Sequence, residues 1–347
     1  VKKSNEGGKM GLTYKKAGVD EDKAGKLVDF IKEKAKKTFS KNVLKDIGFF
    51  GGFFKIPQNY KEPVFVSSTD GVGTKILLGD EMGLYKGLGI DLVAMNCNDV
   101  SVCGADVLFF LDYIAIGEIK GKREEEIIEG IVEGCKIAGC SLIGGEIAQM
   151  KDVYGKNGFD LAGFCVGIVE RKNIIDGSGV KENDVLIGVS SNGVHSNGFS
   201  LIRKIFKEND YKKFYEEFGQ TLGEELLKPT FIYSPLLSEL NRHKLINSCA
   251  HITGGGIKGN LIRSIPENKK CVIDKKSWEI PLIFEIIRKK GKITEKEMFN
   301  VFNMGIGLIL IVDKNEVDRV MNIIKKYRFV SYIIGEVKKG EKEVKII

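Results

Sequence analysis

Four times along this chain an extended, β-branched run ends in a cluster of glycines: "VSSTDGVGTK" at 66–75, "CSLIGGE" at 140–146, "DVLIGVSSNGVHSNG" at 184–198 and "HITGGG" at 251–256. Short apolar runs bounded by glycine predict strands. Glycines that cluster, rather than spread along a linker, predict backbone that approaches something closely. The 42 glycines among 347 residues stand well above the usual share of about 7%, so close approach is a property of the whole chain. Between these runs the period changes to that of helices.

Read in order, the pattern predicts a helix starting at a cap near Asp20 with Val28, Ile31, Ala35 and Phe39 on one face. It continues with a strand at 64–69, a mostly buried helix over 89–104, a strand at 107–117 and a helix carrying Ile127, Ile128, Ile131 and Val132. Strands at 140–146 and 160–170 close the first half. The polar stretch "RKNIIDGSGVKEND" at 171–184 marks the boundary. The second half alternates again, with strands at 184–190, 271–274 and 305–313, helices around 198–207, 229–240 and 315–326, and two final strands. Alternation in both halves predicts an α/β or α+β class in two domains, 1–170 and 171–347. The run "GFFGGFFKIP" at 48–57 suits neither period and is either a turn between packed aromatics or a mobile lid.

A formal charge of +7, spread over lysine-rich faces such as "KEKAKK" at 32–37, leaves no concentrated basic stripe. Nucleic acid is therefore disfavoured as a partner. The seven cysteines have no C-x₂-C pair and sit in apolar stretches, which predicts buried, reduced thiols and a cytoplasmic protein. No apolar run approaches the roughly 20 residues of a membrane span. Residues 1–9 are polar, and Met10 is the natural start if they are a leader.

Within "VSSTDGVGTK", glycines open the backbone to an anion, Lys75 adds positive charge and Asp70 can hold Mg²⁺. The spacing of Gly71, Gly73, Thr74 and Lys75 is not that of a P-loop, so any nucleotide cradle here is of another kind. Asp70, Asp99 and Glu146 each stand at a break in an apolar element, which suits oxygen ligands shared with phosphates. In the second half "GVHSNG" gathers imidazole, hydroxyl and amide groups, and "TGGG" repeats the theme. The plainer reading of each is a helix cap or a turn.

Taken in order, "TYKKAGVD", "STDGVGTK", "GIDLVAMNCND", "LFFLDY", "GGE", "AGFCVG", "HSNG" and "TGGG" resemble the phosphoribosylformylglycinamidine cyclo-ligase family from about Thr13 to the C-terminus. The resemblance implies a two-domain enzyme of purine biosynthesis that uses ATP and Mg²⁺ to close an imidazole ring. It also implies a homodimer pairing its N-terminal sheets, a C-terminal mixed sheet with helices, and a site in the cleft between domains. It assigns catalysis to Lys75, Glu146 and His195, and Mg²⁺ to Asp70 and Asp99. Nucleotide contacts fall to Asp70, Gly71, Gly73, Thr74, Lys75, Asn98, Asp99, Gly144 and Gly145. Substrate contacts fall to His195, Ser196, Asn197, Gly198, Thr253, Gly254, Gly255 and Gly256.

Two departures stand out. Ile147 and Gln149 occupy positions where the family usually has a hydroxyl and an acid, and Phe49 and Phe53 make the 48–57 loop bulkier. The competing readings are a related phosphotransferase, selenophosphate synthetase-like or thiamine monophosphate kinase-like, and a non-catalytic nucleotide- or RNA-binding protein. The selenophosphate synthetase-like form is disfavoured because the loop around Lys55 lacks a cysteine.

Overall fold

The computed structural model describes residues 21–347. Met10, the stretch 13–20 and the expected cap at Asp20 lie outside the described residues. The first half runs α1 (Glu21–Ala35), β1 (Pro63–Gly71), α2 (Lys75–Met82), α3 (Lys86–Val102), β2 (Asp106–Ile116), α4 (Lys122–Ala138), β3 (Ser141–Gln149), α5 (Lys151–Tyr154) and β4 (Phe159–Glu170). Its four strands form one sheet in the order β1-β4-β2-β3, antiparallel except for the β2/β3 pair. Helix α1 ends at Ala35, so Phe39 falls beyond it, and Val28 is 37% exposed while Leu27 is buried. Ile31 and Ala35 keep the expected apolar face, and Leu27 replaces Val28 on it.

Burial alternates along β2, with Leu108, Phe110, Ile114 and Ile116 turned inward. Helix α3 seats on this inner face. It can do so because Gly163 on β4 carries no Cβ, which would stand 2.6 Å from Asn96 Nδ2. On the outer face Phe54 of the 48–57 loop packs on Phe109, while Phe65, Tyr113 and Phe164 are exposed.

The second half contains β5 (Val185–Ser190), α6 (Phe199–Ile205), α7 (Glu208–Tyr211), the small hairpin β6 (Phe214–Tyr215) and β7 (Gln220–Thr221), α8 (Leu222–Leu226), α9 (Ser234–Arg242), β8 (Ser248–His251), α10 (Gly256–Leu261), β9 (Lys269–Ile273), α11 (Leu282–Gly291), α12 (Glu295–Val301), β10 (Ile306–Val312), α13 (Val317–Lys326), β11 (Ser331–Lys339) and β12 (Glu343–Ile346). Six strands join in the order β12-β9-β11-β5-β10-β8, with only β12/β9 parallel. Every residue of β10 is buried, as a central strand covered on both faces requires. Leu236, Leu240, Val320 and Ile324 cover one face from α9 and α13. Among the described residues no helix is long and apolar enough to cross a membrane.

The halves are joined by polar side chains of α3. Asp91 accepts from the Thr230 N–H at 2.7 Å and the Thr230 hydroxyl at 2.6 Å. Asn98 donates to Phe231 O at 2.8 Å and accepts from Tyr233 N–H at 2.7 Å. Buried polar groups placed this way are fully satisfied, and they fix how one half sits on the other.

Candidate active site

A cleft of about 580 Å³ opens between the halves. Its floor is the end of β1 and the turn after it, Thr69 to Gly73, with Met95 of α3. Ser196, Asn197, Thr253 and Gly254 line it from the second half. Asn260 pins the glycine loop by donating to Thr253 O at 3.3 Å, Gly254 O at 3.1 Å and Gly256 O at 2.8 Å. The cleft therefore brings together seven of the expected residues: Asp70, Gly71, Gly73, Ser196, Asn197, Thr253 and Gly254.

Asp70 is half-buried, and its Oδ1 accepts from Gly71 N–H at 2.7 Å. Burial raises its pKa above the ordinary carboxylate value; the like charge of Asp99 adds to this, while the Gly71 N–H and His251 oppose it. Asp99 stands one helical turn beyond Met95 and lines the adjoining cleft, where its Oδ1 meets His251 Nδ1 at 2.8 Å. Two carboxylates that feel each other at a cleft floor favour a bound cation. Among the described residues no group of three or more His, Cys, Asp or Glu converges on a metal position. A hard cation here would take these two carboxylates and complete its shell with water and phosphate oxygens, the usual habit of Mg²⁺.

Several expected residues are turned away. Lys75 is wholly buried: its Nζ pairs with Asp91 Oδ2 at 2.7 Å and donates to Lys228 O at 2.8 Å. Burial pulls its pKa down and Asp91 opposes that pull. The lysine of the opening motif thus serves the join between halves, which corrects its assignment to phosphate and catalysis. His195 is also buried, at 1% exposure, behind the cleft wall. Its Nε2 accepts from Asn192 N–H at 2.9 Å, which puts the ring proton on Nδ1, and Nδ1 has no partner among the described residues. Burial drives its pKa well below the ordinary value. It stands at φ 60°, so its backbone is held in a left-handed bend. The neutral imidazole shapes the loop that carries Ser196 and Asn197, a positioning role in place of the expected ligand contact.

Asn98 is used up in the join between halves, and Thr74 meets Ser200 Oγ at 3.1 Å across it. Gly198 packs on Phe302, and a Cβ on Gly256 would strike Phe299 O. Gly255, at φ 90°, makes the bend between them. These residues form the cleft loops without lining the cleft.

Gly144, Gly145 and Glu146 belong elsewhere. They line a second cavity, of about 530 Å³, with Ile143 and Ile147, beneath the loop at 48–52 and against α1. The strand register puts Asp70, Gly163, Asp112 and Gly145 in one row across the sheet. Three strand spacings separate the row's ends by about 14 Å, and α3 sits over the middle. Asp112 is buried on the inner strand beside Gly145, its pKa raised to about 7 by burial and by Glu146. A Cβ on Gly145 would overlap the Asp112 carboxylate. Phe49 and Phe50 wall this cavity, so the 48–57 loop covers an apolar space and is not over the cleft. Asp160, a second carboxylate lining the cleft, went unread in the sequence. Its only signal was its place at the start of "DLAGFCVG", where alternation alone makes it an outward residue.

Comparison with known proteins gives a consistent result. Residues 55–169 match the family model described as AIR synthase related protein, N-terminal domain, and residues 181–347 match its C-terminal domain counterpart. A phosphoribosylformylglycinamidine cyclo-ligase from Thermodesulfovibrio yellowstonii is 51% identical over 335 residues, covering 95% of this chain and 98% of the relative. Thiamine-monophosphate kinase from Stenotrophomonas maltophilia has a similar fold, with a TM-score of 0.69 at 15% identity, over 92% of this chain and 95% of the other. The hydrogenase maturation protein HypE in complex with ATP is similar at a TM-score of 0.63 and 11% identity, over 91% of this chain and 86% of the other.

Proposed function

Because the chain belongs to the phosphoribosylformylglycinamidine cyclo-ligase family, we propose that its reaction takes place in the 580 Å³ cleft between the halves. The reaction is ATP-dependent closure of formylglycinamidine ribonucleotide to aminoimidazole ribonucleotide, with release of ADP and phosphate. The observation that carries the site is the meeting of Asp70, Gly71 and Gly73 with Ser196, Asn197, Thr253 and Gly254 across one opening.

A formamide is a weak electrophile and its oxygen is a poor leaving group. Phosphorylating that oxygen first makes it a leaving group, and the amidine nitrogen then attacks the same carbon. Such a transfer depends chiefly on positioning and charge neutralisation. Asp70 and Asp99 would hold Mg²⁺, which would supply charge neutralisation for the phosphoryl group. The backbone N–H groups of Val72 and Gly73 face the phosphates, and Asn197 offers its amide to the formamide, while Ser196, bonded to Thr230, and Thr253, bonded to Asn260, shape the wall beside it. His195 acts on that wall from behind. No protein nucleophile is needed, so the cysteines remain inert; six of the seven are buried.

The exposed aromatics on the outer face of the first sheet, Phe65, Tyr113 and Phe164, support a homodimer formed through that face. Light scattering should give the dimer mass at micromolar concentration, and a monomer mass rejects the pairing. The reaction itself is tested by mixing the protein with Mg-ATP and formylglycinamidine ribonucleotide and following ADP and the aminoimidazole product together. Stoichiometric release of both is expected. ADP without the aminoimidazole points to another phosphoryl acceptor and overturns the reading.

A further inference from the structure

Beside the catalytic cleft lies a second opening of about 330 Å³, and the chain's two halves build it in the same way. β1 contributes Ser68, which shares the inward face with Asp70, and α3 contributes Asp99 and Cys103, which continue the line from Met95. The two openings are thus successive lengths of one groove. The second half supplies Ser248, Ser264 and, following α10, Arg263. The Arg263 guanidinium makes no hydrogen bond or ion pair among the described residues, whereas the acids facing it are engaged. Asp99 meets His251, and Asp176 at the rim accepts from Ser178 N–H at 2.9 Å. Ser264 Oγ already donates to Cys249 O at 2.8 Å, so the groove offers one uncommitted, forked cation with the Ser68 and Ser248 hydroxyls beside it, a donor set that suits a tetrahedral oxyanion.

We propose that this opening binds the phosphate monoester of the ribonucleotide substrate, with Arg263 as its anchor. The proposal rests on the cyclo-ligase reading of the neighbouring cleft and adds where the non-reacting end of the substrate is held. Ser68 and Asp70 are two residues apart on one strand, about 7 Å, so a single phosphoribosyl group reaches from Arg263 to the metal carboxylates. The phosphates of ATP belong with those carboxylates. The substrate's own phosphate takes no part in bond making, and holding it supplies binding energy that orients the reacting formamide. Free inorganic phosphate shares the chemistry but lacks the ribose that would span the groove.

Kinetics and labelling test it together. Arg263→Gln should raise KM for formylglycinamidine ribonucleotide about tenfold or more, and Arg263→Lys should recover part of the loss. KM for ATP should stay within roughly twofold of wild type. Cys103 gives a readout that needs no turnover, because it is half-buried in this opening and the other six cysteines are buried. Burial and Asp99 hold its thiol above the ordinary range, so alkylation by iodoacetamide is run at about pH 9. Ribose 5-phosphate should protect Cys103 in the wild type and lose that effect in Arg263→Gln, with inorganic phosphate protecting less. Equal protection in both proteins, an unchanged substrate KM, or a parallel rise in KM for ATP overturns the proposal. A wild type that closes no ring defeats the cyclo-ligase reading instead, and the labelling comparison still decides whether Arg263 holds a phosphate.

Discussion

Asp70 and Asp112 lie in the same row of one sheet, two strands apart, with both side chains turned to the same face. Their surroundings diverge completely. Asp70 stands at the edge strand, looks into an open polar cleft and has Asp99 as a neighbour. Asp112 stands on an inner strand, sealed against Gly145 beside an apolar cavity. Burial raises both pKa values, but only Asp70 has room for a cation to offset that cost. Asp112 can relieve the same cost only by keeping its proton, and its pKa of about 7 reflects this. One sheet level thus carries a carboxylate suited to a metal and another suited to a proton.

The largest expected effect tests what holds the open end in shape. Asp91→Ala leaves the buried Lys75 ammonium without its partner and Thr230 without its acceptor, and should cost about 3–5 kcal/mol of stability. Chemical denaturation reads this directly; a loss under about 1 kcal/mol would mean that water reaches Lys75.

Next come Asp70→Asn and Asp99→Asn. Each should lower kcat/KM at least about a hundredfold, near 2.7 kcal/mol of transition-state stabilisation, with the melting temperature held. Near wild-type turnover with unaltered Mg²⁺ dependence removes the metal from this end of the row.

At the sealed end the test is pH. The folded pKa of Asp112 is raised from 3.8 to about 7, so the native protein keeps a proton that the unfolded chain gives up. Its contribution is therefore best below about pH 4 and declines as pH rises through the window to about 7. Asp112→Asn should flatten that decline by about 4 kcal/mol, measured as denaturation free energy at the two ends of the window. An unchanged slope places a hydrated, ionised carboxylate there. The smallest effect is expected of Gly145→Ala, whose Cβ crowds the Asp112 carboxylate and should cost about 1 kcal/mol while shifting the pH midpoint. No shift in that midpoint would show that the carboxylate swings clear.

The strands and most helices were legible because their signals are local. β10 reads as a buried run, and α4 carries its apolar residues at helical spacing. The hairpin of β6 and β7 was missed because two-residue strands have no period to detect. In the cleft, the turn that carries Asp70, Gly71 and Gly73 was readable from its Asp-Gly break. Lys75 was misread because sequence proximity to glycine and threonine says nothing about which way a helix's first side chain points.

The sequence by itself determined the class, the two alternating halves, the motif order that marks the family and the acids available for a metal. The tertiary structure alone decided which of those residues meet. Burial of Lys75 depends on Asp91 and on the 228–230 backbone, and these are brought to it by helix packing across long sequence separations. The separation of Glu146 from Asp70 depends on strand order, which places β3 and β1 on opposite edges. Local composition sets what a segment can be, because backbone preference and apolar period act over a few residues. Pairing order and side-chain direction are set by contacts between distant segments, and no motif read singly carries them.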